Sequence, residues 1–510
     1  MKALFFSPQL NTLIHSKPFP LGLLSICSYI QKNSSHEVKI IDRTLSHINL
    51  EEEIKKFSPD IVGISVLSPA VLDDAEIISR KCHEMGIYVV WGGHFATSCK
   101  DILIKEDFIN AISIGRGEVT WLNLLNSIEN KLDFSNIPGL LYKTSDGVIT
   151  NAENLDFSCD EFPRSNFDLV DVKAYFAKYY DNIAEKMIWV FAKKGCHCQC
   201  TFCCNKSFNH QKVLARPYEI VCDEIRELVE DYGADAIYFG DELWCSNREQ
   251  MKMQCDMLAE LNLDFVWGCT VRTDILNAED YKYMYDHGCR WIFFGIESGD
   301  PERIKTIKKG IKLENAVENI KACYSAGILP TASFILGFPD ETVSELTKTA
   351  ALLKQLSYFA TLDVYFFTPY PGSELYEQLI SDGRLPKSEL LSEIKNFGWN
   401  NLNEQRYASY SDIPYKDLKV IYACSIIWNT FNRKSVPING EQEHKEHGTI
   451  YKLFSKVLDV FSSAFKNLNL RNTKLLITFL KSMFKKFGFA FFYALCYPSI
   501  RRKYSMTLFK

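Results

Sequence analysis

Short apolar runs and amphipathic stretches alternate along the first 125 residues of the chain. The runs are bounded by Gly, Pro or Asp, which indicates strands, and the stretches between them have apolar residues at helical spacing. The predicted strands are KALFFSP, EVKIID, DIVGISVL, IYVVWGG and FINAISIGRGE, and the predicted helices are LGLLSICSYIQKN, NLEEEIKKF, LDDAEIISRKCHEMG and WLNLLNSIEN. This alternation predicts an α/β domain with a doubly wound parallel sheet over residues 1–135.

The alternation stops between residues 136 and 180, which we predict to be a linker. NIPGLLYKTSDGVIT carries turn residues between two apolar runs and is typical of a hairpin. EFPRSNFDLVD has no regular period. The linker therefore separates the first domain from a second α/β region.

A second alternation of strands and helices occupies residues 181–385. The predicted strands are MIWVFAKKG, AIYFGDE, FVWGCTVR, RWIFFGIES, PTASFILGFP and DVYFFTPYP, and the helices between them include PYEIVCDEIRELVEDYG, REQMKMQCDMLAELN and LENAVENIKACYSAG. Six units favour a partial (β/α)6 barrel, open on one side, over a complete eight-unit barrel. In such folds the chemistry gathers at the carboxyl ends of the strands.

Charge and cysteine content indicate which partners, which compartment and which use of the cysteines to expect. The 58 Lys and Arg against 63 Asp and Glu give a formal net charge of -5, so we expect no nucleic-acid partner. The chain opens without a secretory signal pattern, so we expect a cytoplasmic protein. In that reducing compartment, its 17 cysteines indicate metal ligands or catalysts rather than disulfides.

Residues 386–510 are predicted to be mainly helical and end in a basic amphipathic tail. Residues 451–510 hold twelve Lys or Arg against one acidic residue, Asp459. The apolar stretch 487–497 is too short to span a bilayer. We expect the tail to pack on the barrel. A lid over the substrate cavity and an interfacial helix on anionic lipid, which would make the protein membrane-peripheral, are the alternatives.

Five cysteines lie within nine residues, in the segment GCHCQCTFCC. Cys196, Cys200 and Cys203 are spaced so that three thiolates on one short loop can bind three corners of a cubane iron–sulfur cluster. The fourth iron would then be open to a substrate or cofactor. Zinc is the alternative, but the sequence has no obvious second ligand pair at finger-like spacing. Cys198 and Cys204 are either alternative ligands or neighbours of the cluster.

The spacing and its surroundings resemble the radical S-adenosylmethionine (SAM) enzymes. CxxxCxxC follows a strand, and an aromatic residue, Phe202, precedes the third cysteine. Four further segments follow in that family's order. AIYFGDELW is similar to its acidic strand end, WIFFGIESG to its ribose-contacting strand, ILGFPDET to its fifth-strand Gly-Pro motif and FFTPYPGSELYEQL to its closing strand and turn.

This resemblance implies a site for a 4Fe–4S cluster and SAM. The cluster would be held by Cys196, Cys200 and Cys203, and a carboxylate would accept a hydrogen bond from the SAM ammonium. Strand-end groups would contact the ribose, and an arginine would pair with the SAM carboxylate or form a local salt bridge. The expected SAM contacts are Phe202, Asp241 or Glu242, Arg272, Glu297, Ser298 and Gly337.

The first domain resembles the cobalamin-binding, Rossmann-like domain of the cobalamin-dependent radical SAM enzymes. The segments that carry the resemblance are PFPLGLLSICSYI (18–30), EVKIID (37–42), PDIVGISVL (59–67), VVWGGHFAT (89–97) and GRGEV (115–119). Small residues at the carboxyl ends of its strands suit a corrin lying against backbone. The expected cobalamin contacts are Ser65, Gly92, Gly93, His94, Gly115 and Gly117.

One motif of many cobalamin proteins is absent from the sequence. Their cobalt is ligated by the His of an Asp-x-His-x-x-Gly motif, whereas KCHEMG has Lys81 in the Asp position. We expect His83 at the surface of a helix, and the cobalt five-coordinate or water-ligated, with loss of cobalamin binding as the alternative. His94 is the better-placed polar contact, and a structural histidine is the alternative.

The combined resemblance implies a cobalamin-dependent C-methyltransferase. A reduced cluster would cleave SAM to a 5′-deoxyadenosyl radical that takes hydrogen from an unactivated carbon, and methylcobalamin would supply the methyl group. The implied partners are a small-molecule or lipid-like substrate and an electron donor such as flavodoxin or ferredoxin. The sequence assigns no catalytic general base, and Tyr365 and Tyr370 either line the substrate cavity or belong to the core.

Two alternatives stay open. One is an anaerobic cyclase or oxidase of the same architecture, and the other is a non-catalytic iron–sulfur or cobalamin sensor. A nucleic-acid-modifying methylthiotransferase is disfavoured, because that group carries a second cluster in its first domain. Here that domain has only the scattered Cys27, Cys82 and Cys99.

Overall fold

The computed structural model describes residues 1–10, 18–45, 49–153, 162–179, 183–395 and 410–431. The predicted basic tail, at residues 451–510, lies outside the described residues. The described chain forms two compact units. The first contains Met1–Trp244, Met253–Cys269 and the described residues from Thr368 to 395, and the second contains Cys245–Lys252, Thr270–Phe367 and residues 410–431.

Strands and helices alternate in the order that the sequence predicts. The strands are β1 (Lys2–Ser7), β2 (Glu37–Asp42), β3 (Ile61–Ser65), β4 (Tyr88–Gly92), β5 (Ala111–Ser113), β6 (Leu140–Thr144), β7 (Gly147–Thr150), β8 (Ala177–Tyr179), β9 (Ala184–Val190), β10 (Lys193–Lys194), β11 (Leu214–Ala215), β12 (Ala236–Phe239), β13 (Val266–Thr270), β14 (Cys289–Glu297), β15 (Leu329–Leu336) and β16 (Thr361–Phe366). The helices are α1 (Leu21–Asn33), α2 (Leu50–Phe57), α3 (Leu72–Glu84), α4 (His94–Ser98), α5 (Lys100–Leu103), α6 (Glu118–Glu129), α7 (Asn205–Asn209), α8 (Tyr218–Glu230), α9 (Arg248–Glu260), α10 (Ala278–Asp286), α11 (Pro301–Thr306), α12 (Leu313–Ser325), α13 (Val343–Leu356), α14 (Glu374–Ser381), α15 (Leu391–Lys395) and α16 (Tyr415–Phe431).

The first sheet has the strand order β2-β1-β3-β4-β5-β6-β7. Its first five strands are parallel, as predicted, and their side chains are mostly buried. Gly63 in β3 gives room for helix packing, because a Cβ there would stand 2.6 Å from the Phe5 ring and 2.7 Å from the Trp121 ring of α6. Phe5 and Trp121 meet edge to face, with ring centroids 4.5 Å apart.

The predicted hairpin forms β6 and β7, and it joins the first sheet. β6 pairs antiparallel with β5, and β7 pairs antiparallel with β6. The sheet therefore continues to Thr150, inside the segment predicted as a linker. The later part of that segment is also anchored, because Glu224 of α8 accepts a hydrogen bond from Ser165 N at 2.6 Å.

The second strand–helix series begins in the first unit. There β9, β12 and β13 are parallel neighbours, and β8 pairs antiparallel with β9. Trp189 of β9 stands beside Tyr238 of β12, which stands beside Gly268 of β13. Because side chains alternate along a strand, these positions share one face of the sheet.

The series continues in the second unit with the parallel strands β14, β15 and β16. Helix α16 packs beside β16, where Asn429 exchanges two hydrogen bonds of 2.8 and 2.7 Å with the backbone of Leu362. The described part of the C-terminal region thus includes a helix, as predicted. None of the helices that the structure describes is both long and apolar enough to cross a bilayer.

Candidate active site

The cysteine loop, residues 195–204, connects β10 to α7. Cys196, Cys200 and Cys203 are all half-buried, and Cys203 N donates a hydrogen bond to Cys200 O at 3.2 Å. Gly195 has a φ of 95°, and a Cβ on it would clash with the carbonyl oxygen of Lys212. Only glycine fits this close approach, so the loop begins from a fixed backbone position.

The donor set of this loop fits an iron–sulfur cluster. Thiolates are the protein ligands of such clusters, and a cubane bonds each thiolate to a different iron. Among the described residues, no three His, Cys, Asp or Glu side chains lie close enough together to hold one metal ion, and this includes the three cysteines, so the fit rests on the type of donor and on its spacing along the loop. A hydrogen bond with Cys198 and then burial raise the pKa of the Cys196 thiol well above its ordinary value. Ligation would therefore displace a proton from this thiol.

Asp241 and Glu242 hold the backbone that leads into the cysteine loop. Asp241 is 3% exposed, and its Oδ1 accepts hydrogen bonds from Ala192 N at 2.8 Å and Lys193 N at 3.1 Å. Its buried Oδ2 has no hydrogen-bond partner among the described residues, and burial raises the pKa of this carboxyl to about 7. Glu242 is exposed, and its Oε2 accepts from Gly195 N at 3.0 Å.

In the second unit, Glu297 and Ser298 lie at the carboxyl end of β14. Glu297 is buried, has a φ of 72° and pairs with Lys309 Nζ at 2.8 Å. A Cβ on Gly295 would clash with both charged groups of this pair. The Ser298 hydroxyl is directed toward α13, where it lies 3.3 Å from Thr349 Oγ1.

Arg272 forms a salt bridge with Asp274. The sequence left this local pairing open as the alternative to contact with the SAM carboxylate. The Arg272 guanidinium donates two hydrogen bonds to Asp274, of 2.9 and 2.8 Å, and a third to the carbonyl oxygen of Lys309 at 2.9 Å. Lys309 thus connects Arg272 to Glu297. Lys309 was not predicted as a site residue, because it follows β14 by a helix and no motif in the sequence marks it.

Gly337 ends β15 in a left-handed turn. Its φ is 83°, its N–H donates to Glu341 Oε2 at 2.6 Å, and a Cβ on it would stand 2.7 Å from Leu418 Cδ1. Glu341 is completely buried. The turn is therefore fixed by a carboxylate that the sequence analysis did not single out.

The expected cobalamin contacts lie at the carboxyl ends of the first sheet. Ser65 pairs with Gly92, and Gly93 has a φ of 102° where a Cβ would stand 2.9 Å from Val66 O. Gly115 has a φ of 65° and donates its N–H to Thr97 Oγ1 at 2.9 Å. The glycines at this edge add no side chain of their own, which fits a broad flat ligand such as a corrin, and Leu67 Cδ2 and Glu153 Oε2 lie within 3.1 Å of the Cβ positions of Gly93 and Gly115.

His94 is enclosed by the helix that follows the cysteine loop. Its ring stacks on Phe208 of α7, with centroids 3.6 Å apart. Burial and the nearby Lys194 lower its pKa to about 4, so the ring is neutral. His83 is exposed on α3, as expected.

Glu118, at the start of α6, is a buried acid in the first unit. Its Oε1 accepts hydrogen bonds from Lys194 Nζ at 2.8 Å and Ser25 Oγ at 2.6 Å. Burial alone would raise the pKa of Glu118, but Lys194 and Ser25 hold it below its ordinary value. The carboxylate is therefore charged and paired.

Two family models match the chain. The radical SAM superfamily matches residues 192–353, and the B12 binding domain matches residues 10–125. The first match contains the cysteine loop and the chain from β12 to residue 353 within α13. The second contains the residues at the carboxyl edge of the first sheet.

Three curated relatives cover most of the same length. An uncharacterized methyltransferase of Pyrococcus horikoshii is 31% identical over 375 residues, which are 72% of this chain and 79% of the relative. Hopanoid C-3 methylase of Methylococcus capsulatus is 23% identical over 72% of this chain and 70% of the relative. Anaerobic magnesium-protoporphyrin IX monomethyl ester cyclase of Rubrivivax gelatinosus is 24% identical over 74% and 70%.

A solved structure shares the fold. The radical SAM methyltransferase TsrM of Kitasatospora setae, with cobalamin and a 4Fe–4S cluster bound, is similar with a TM-score of 0.65 and 16% identity. The similarity covers 84% of this chain and 90% of that chain. The predicted fold class, a cobalamin-binding domain followed by a radical SAM domain, is confirmed.

Proposed function

The chain belongs to the cobalamin-dependent radical SAM enzymes, and we propose that it methylates an unactivated carbon of an apolar, ring-containing small molecule or lipid. Its cofactors are a 4Fe–4S cluster, SAM and cobalamin. The observation that carries methyl transfer is the 31% identity with a methyltransferase over 72% of this chain. A low-potential electron donor such as flavodoxin or ferredoxin completes the reaction.

The roles of the site residues are part of this proposal. Cys196, Cys200 and Cys203 would hold the cluster, because they are half-buried thiols on one anchored loop. When bound, the cluster, SAM and cobalamin supply the radical chemistry and the methyl carrier, and the protein positions them and excludes water.

The two carboxylates near the loop have different proposed roles. Glu242 fixes Gly195, the residue before the first cysteine. Asp241 offers a buried oxygen without a hydrogen-bond partner among the described residues, and this oxygen is the better acceptor for an ammonium group. In the second unit, Glu297 would accept from the ribose while Lys309 holds its carboxylate in place.

The apolar substrate class is supported by an aromatic pair on the sheet. Trp189 is 42% exposed although its neighbours Ile188 and Val190 are almost fully buried. Its ring lies 4.9 Å from that of Tyr238, at an angle of 55°. Gly240 leaves room for the indole, because a Cβ there would stand 3.1 Å from Trp189 Cε3. Two adjacent aromatic rings on one sheet face suit an apolar ring system.

One experiment separates methyl transfer from cyclisation without a known substrate. The anaerobically reconstituted enzyme is reduced, given SAM with a deuterated methyl group, and its bound cobalamin is analysed by mass spectrometry. Methyl transfer predicts that the deuterium label appears on cobalamin. Cyclisation, the reaction in the names of the cyclase relatives, predicts instead that 5′-deoxyadenosine is released and that no deuterium appears on the corrin.

A further inference from the structure

A buried ion pair joins the cobalamin-binding domain to the strand that leads into the cysteine loop. Glu118 follows directly on Gly117, which with Gly115 is an expected corrin contact, and it is 2% exposed. Its partner Lys194 is the last residue of β10, two positions before Cys196. Their 2.8 Å contact therefore connects the two segments that would hold the two metal cofactors.

The surroundings of the pair fix both groups. Ser25 of α1 donates to Glu118 Oε1 at 2.6 Å and lies 3.2 Å from Lys194 Nζ. The rings of Phe162 and Phe191 lie 5.0 and 4.6 Å from the same ammonium. Aromatic faces attract a cation at such distances. The Lys194 ammonium is therefore surrounded by side chains from α1, from α6, from the predicted linker and from the residue directly after β9.

A pair of this kind constrains the backbone on both sides. A buried charge that loses its partner is strongly unfavourable, so neither residue can leave without the other being rearranged. Gly117, just before Glu118, packs closely as well, since a Cβ on it would stand 2.7 Å from Ile26 Cδ1. A shift of Gly117 would therefore have to be accommodated at Glu118 and at its partner Lys194.

We propose that Glu118 and Lys194 are positioning residues that couple cobalamin binding to assembly of the iron–sulfur cluster. The inference rests on the proposed role of the cysteine loop and on the expected contact of Gly115 and Gly117 with cobalamin. Whichever cofactor binds first restrains the shared junction further, and binding of the second then costs less conformational entropy. By thermodynamic linkage, each cofactor raises the affinity for the other by the same factor.

The test compares the affinity of the full-length chain for hydroxocobalamin with and without a reconstituted cluster. We expect the wild-type protein to bind hydroxocobalamin on the order of tenfold more tightly when the cluster is present. In Lys194→Met this ratio should fall to about one. The double variant E118Q/K194M removes both charges, so it should fold as stably as the wild type and still show a ratio near one.

A control variant and the contrary outcomes distinguish a failure of the coupling from a failure of the proposed function. The exposed pair Lys55–Glu51, joined at 2.7 Å on α2, provides the control variant E51Q/K55M, which should keep the wild-type ratio. A ratio of one in the wild type, or a tenfold ratio retained in E118Q/K194M, overturns the coupling. If the wild type binds no hydroxocobalamin or assembles no iron and sulfide, the proposed function itself fails.

Discussion

Lys309 and Glu297 form an ion pair of 2.8 Å at the carboxyl end of β14. The pair holds a carboxylate whose backbone has a φ of 72°, a left-handed conformation that is unusual for glutamate. The Lys309 carbonyl also accepts from Arg272, so one residue organises two of the expected SAM contacts.

Lys309→Met should weaken SAM binding more than it slows turnover. Without the ammonium, the buried Glu297 carboxylate loses its partner and reorients or takes a proton. Loss of a charged hydrogen bond of about 1.5–3 kcal/mol corresponds to a rise in the SAM dissociation constant of roughly tenfold or more. Equilibrium dialysis of SAM with the cluster-loaded enzyme measures this dissociation constant. Lys305→Met, at an exposed position of α11, is the control, and equal effects in both variants would contradict the assignment.

Gly195→Ala should prevent normal assembly of the cysteine loop. The added Cβ meets the Lys212 carbonyl oxygen, and the left-handed φ of 95° adds strain. Gly86→Ala is a matched control, because its φ is 72° but a Cβ there has nothing within 4 Å. After identical reconstitution, iron and sulfide per chain should fall in Gly195→Ala and stay at the wild-type value in Gly86→Ala. Full cluster content in both variants would rule out this role for Gly195.

Glu341→Gln should change how stability depends on pH. Burial raises the pKa of Glu341 to about 7 from an ordinary value of 4.5, so between these values the native state keeps a proton that the unfolded chain releases. The stabilising contribution of this group is therefore complete below pH 4.5 and is lost as the pH rises through about 7. The difference corresponds to roughly 3 kcal/mol.

Urea unfolding of both proteins at several pH values measures this effect. Relative to wild type, Glu341→Gln should gain roughly 3 kcal/mol of unfolding free energy between about pH 4 and pH 8. The amide can still accept the hydrogen bond from Gly337, so the turn itself is retained. Parallel pH profiles for the two proteins would show that Glu341 is not the titrating group.

Trp189→Ala should affect substrate binding and leave the fold intact. The indole is 42% exposed, so its removal leaves a gap at the surface beside Tyr238 and not a closed cavity in the core. An apolar substrate that covers it would lose about 1.5–3 kcal/mol, which raises KM roughly tenfold or more. Once a substrate is in hand, KM and the thermal midpoint are measured together. Met253→Ala, another exposed apolar side chain, is the control, and an unchanged KM in Trp189→Ala would contradict the aromatic site.

The order and type of the strands and helices could be predicted from the sequence, because the spacing of apolar residues and the residues that bound a strand are local signals. EVKIID and LGLLSICSYIQKN form β2 and α1 at the predicted residues. The joining of β6 to β5 was not foreseen, because antiparallel pairing with a distant edge depends on the assembled sheet.

Site residues could be predicted from the sequence where a motif marks them, but not where only packing brings them together. The cysteine spacing predicts Cys196, Cys200 and Cys203 as cluster ligands, and the structure places all three half-buried on one loop. By contrast, the partners Lys309, Lys194 and Phe208 meet their targets only after folding, and a lysine or phenylalanine carries no signal of its own in the sequence. These supporting groups decide whether a carboxylate or an imidazole is available, so the structure was needed to find them.

The central claim is tested most directly by analysing iron and sulfide content and 5′-deoxyadenosine release in Cys200→Ala, with Cys198→Ala as the control. The account predicts that Cys200→Ala loses both the intact cluster and SAM cleavage, while Cys198→Ala keeps both. Wild-type cluster content and native-rate release of 5′-deoxyadenosine in Cys200→Ala would contradict it.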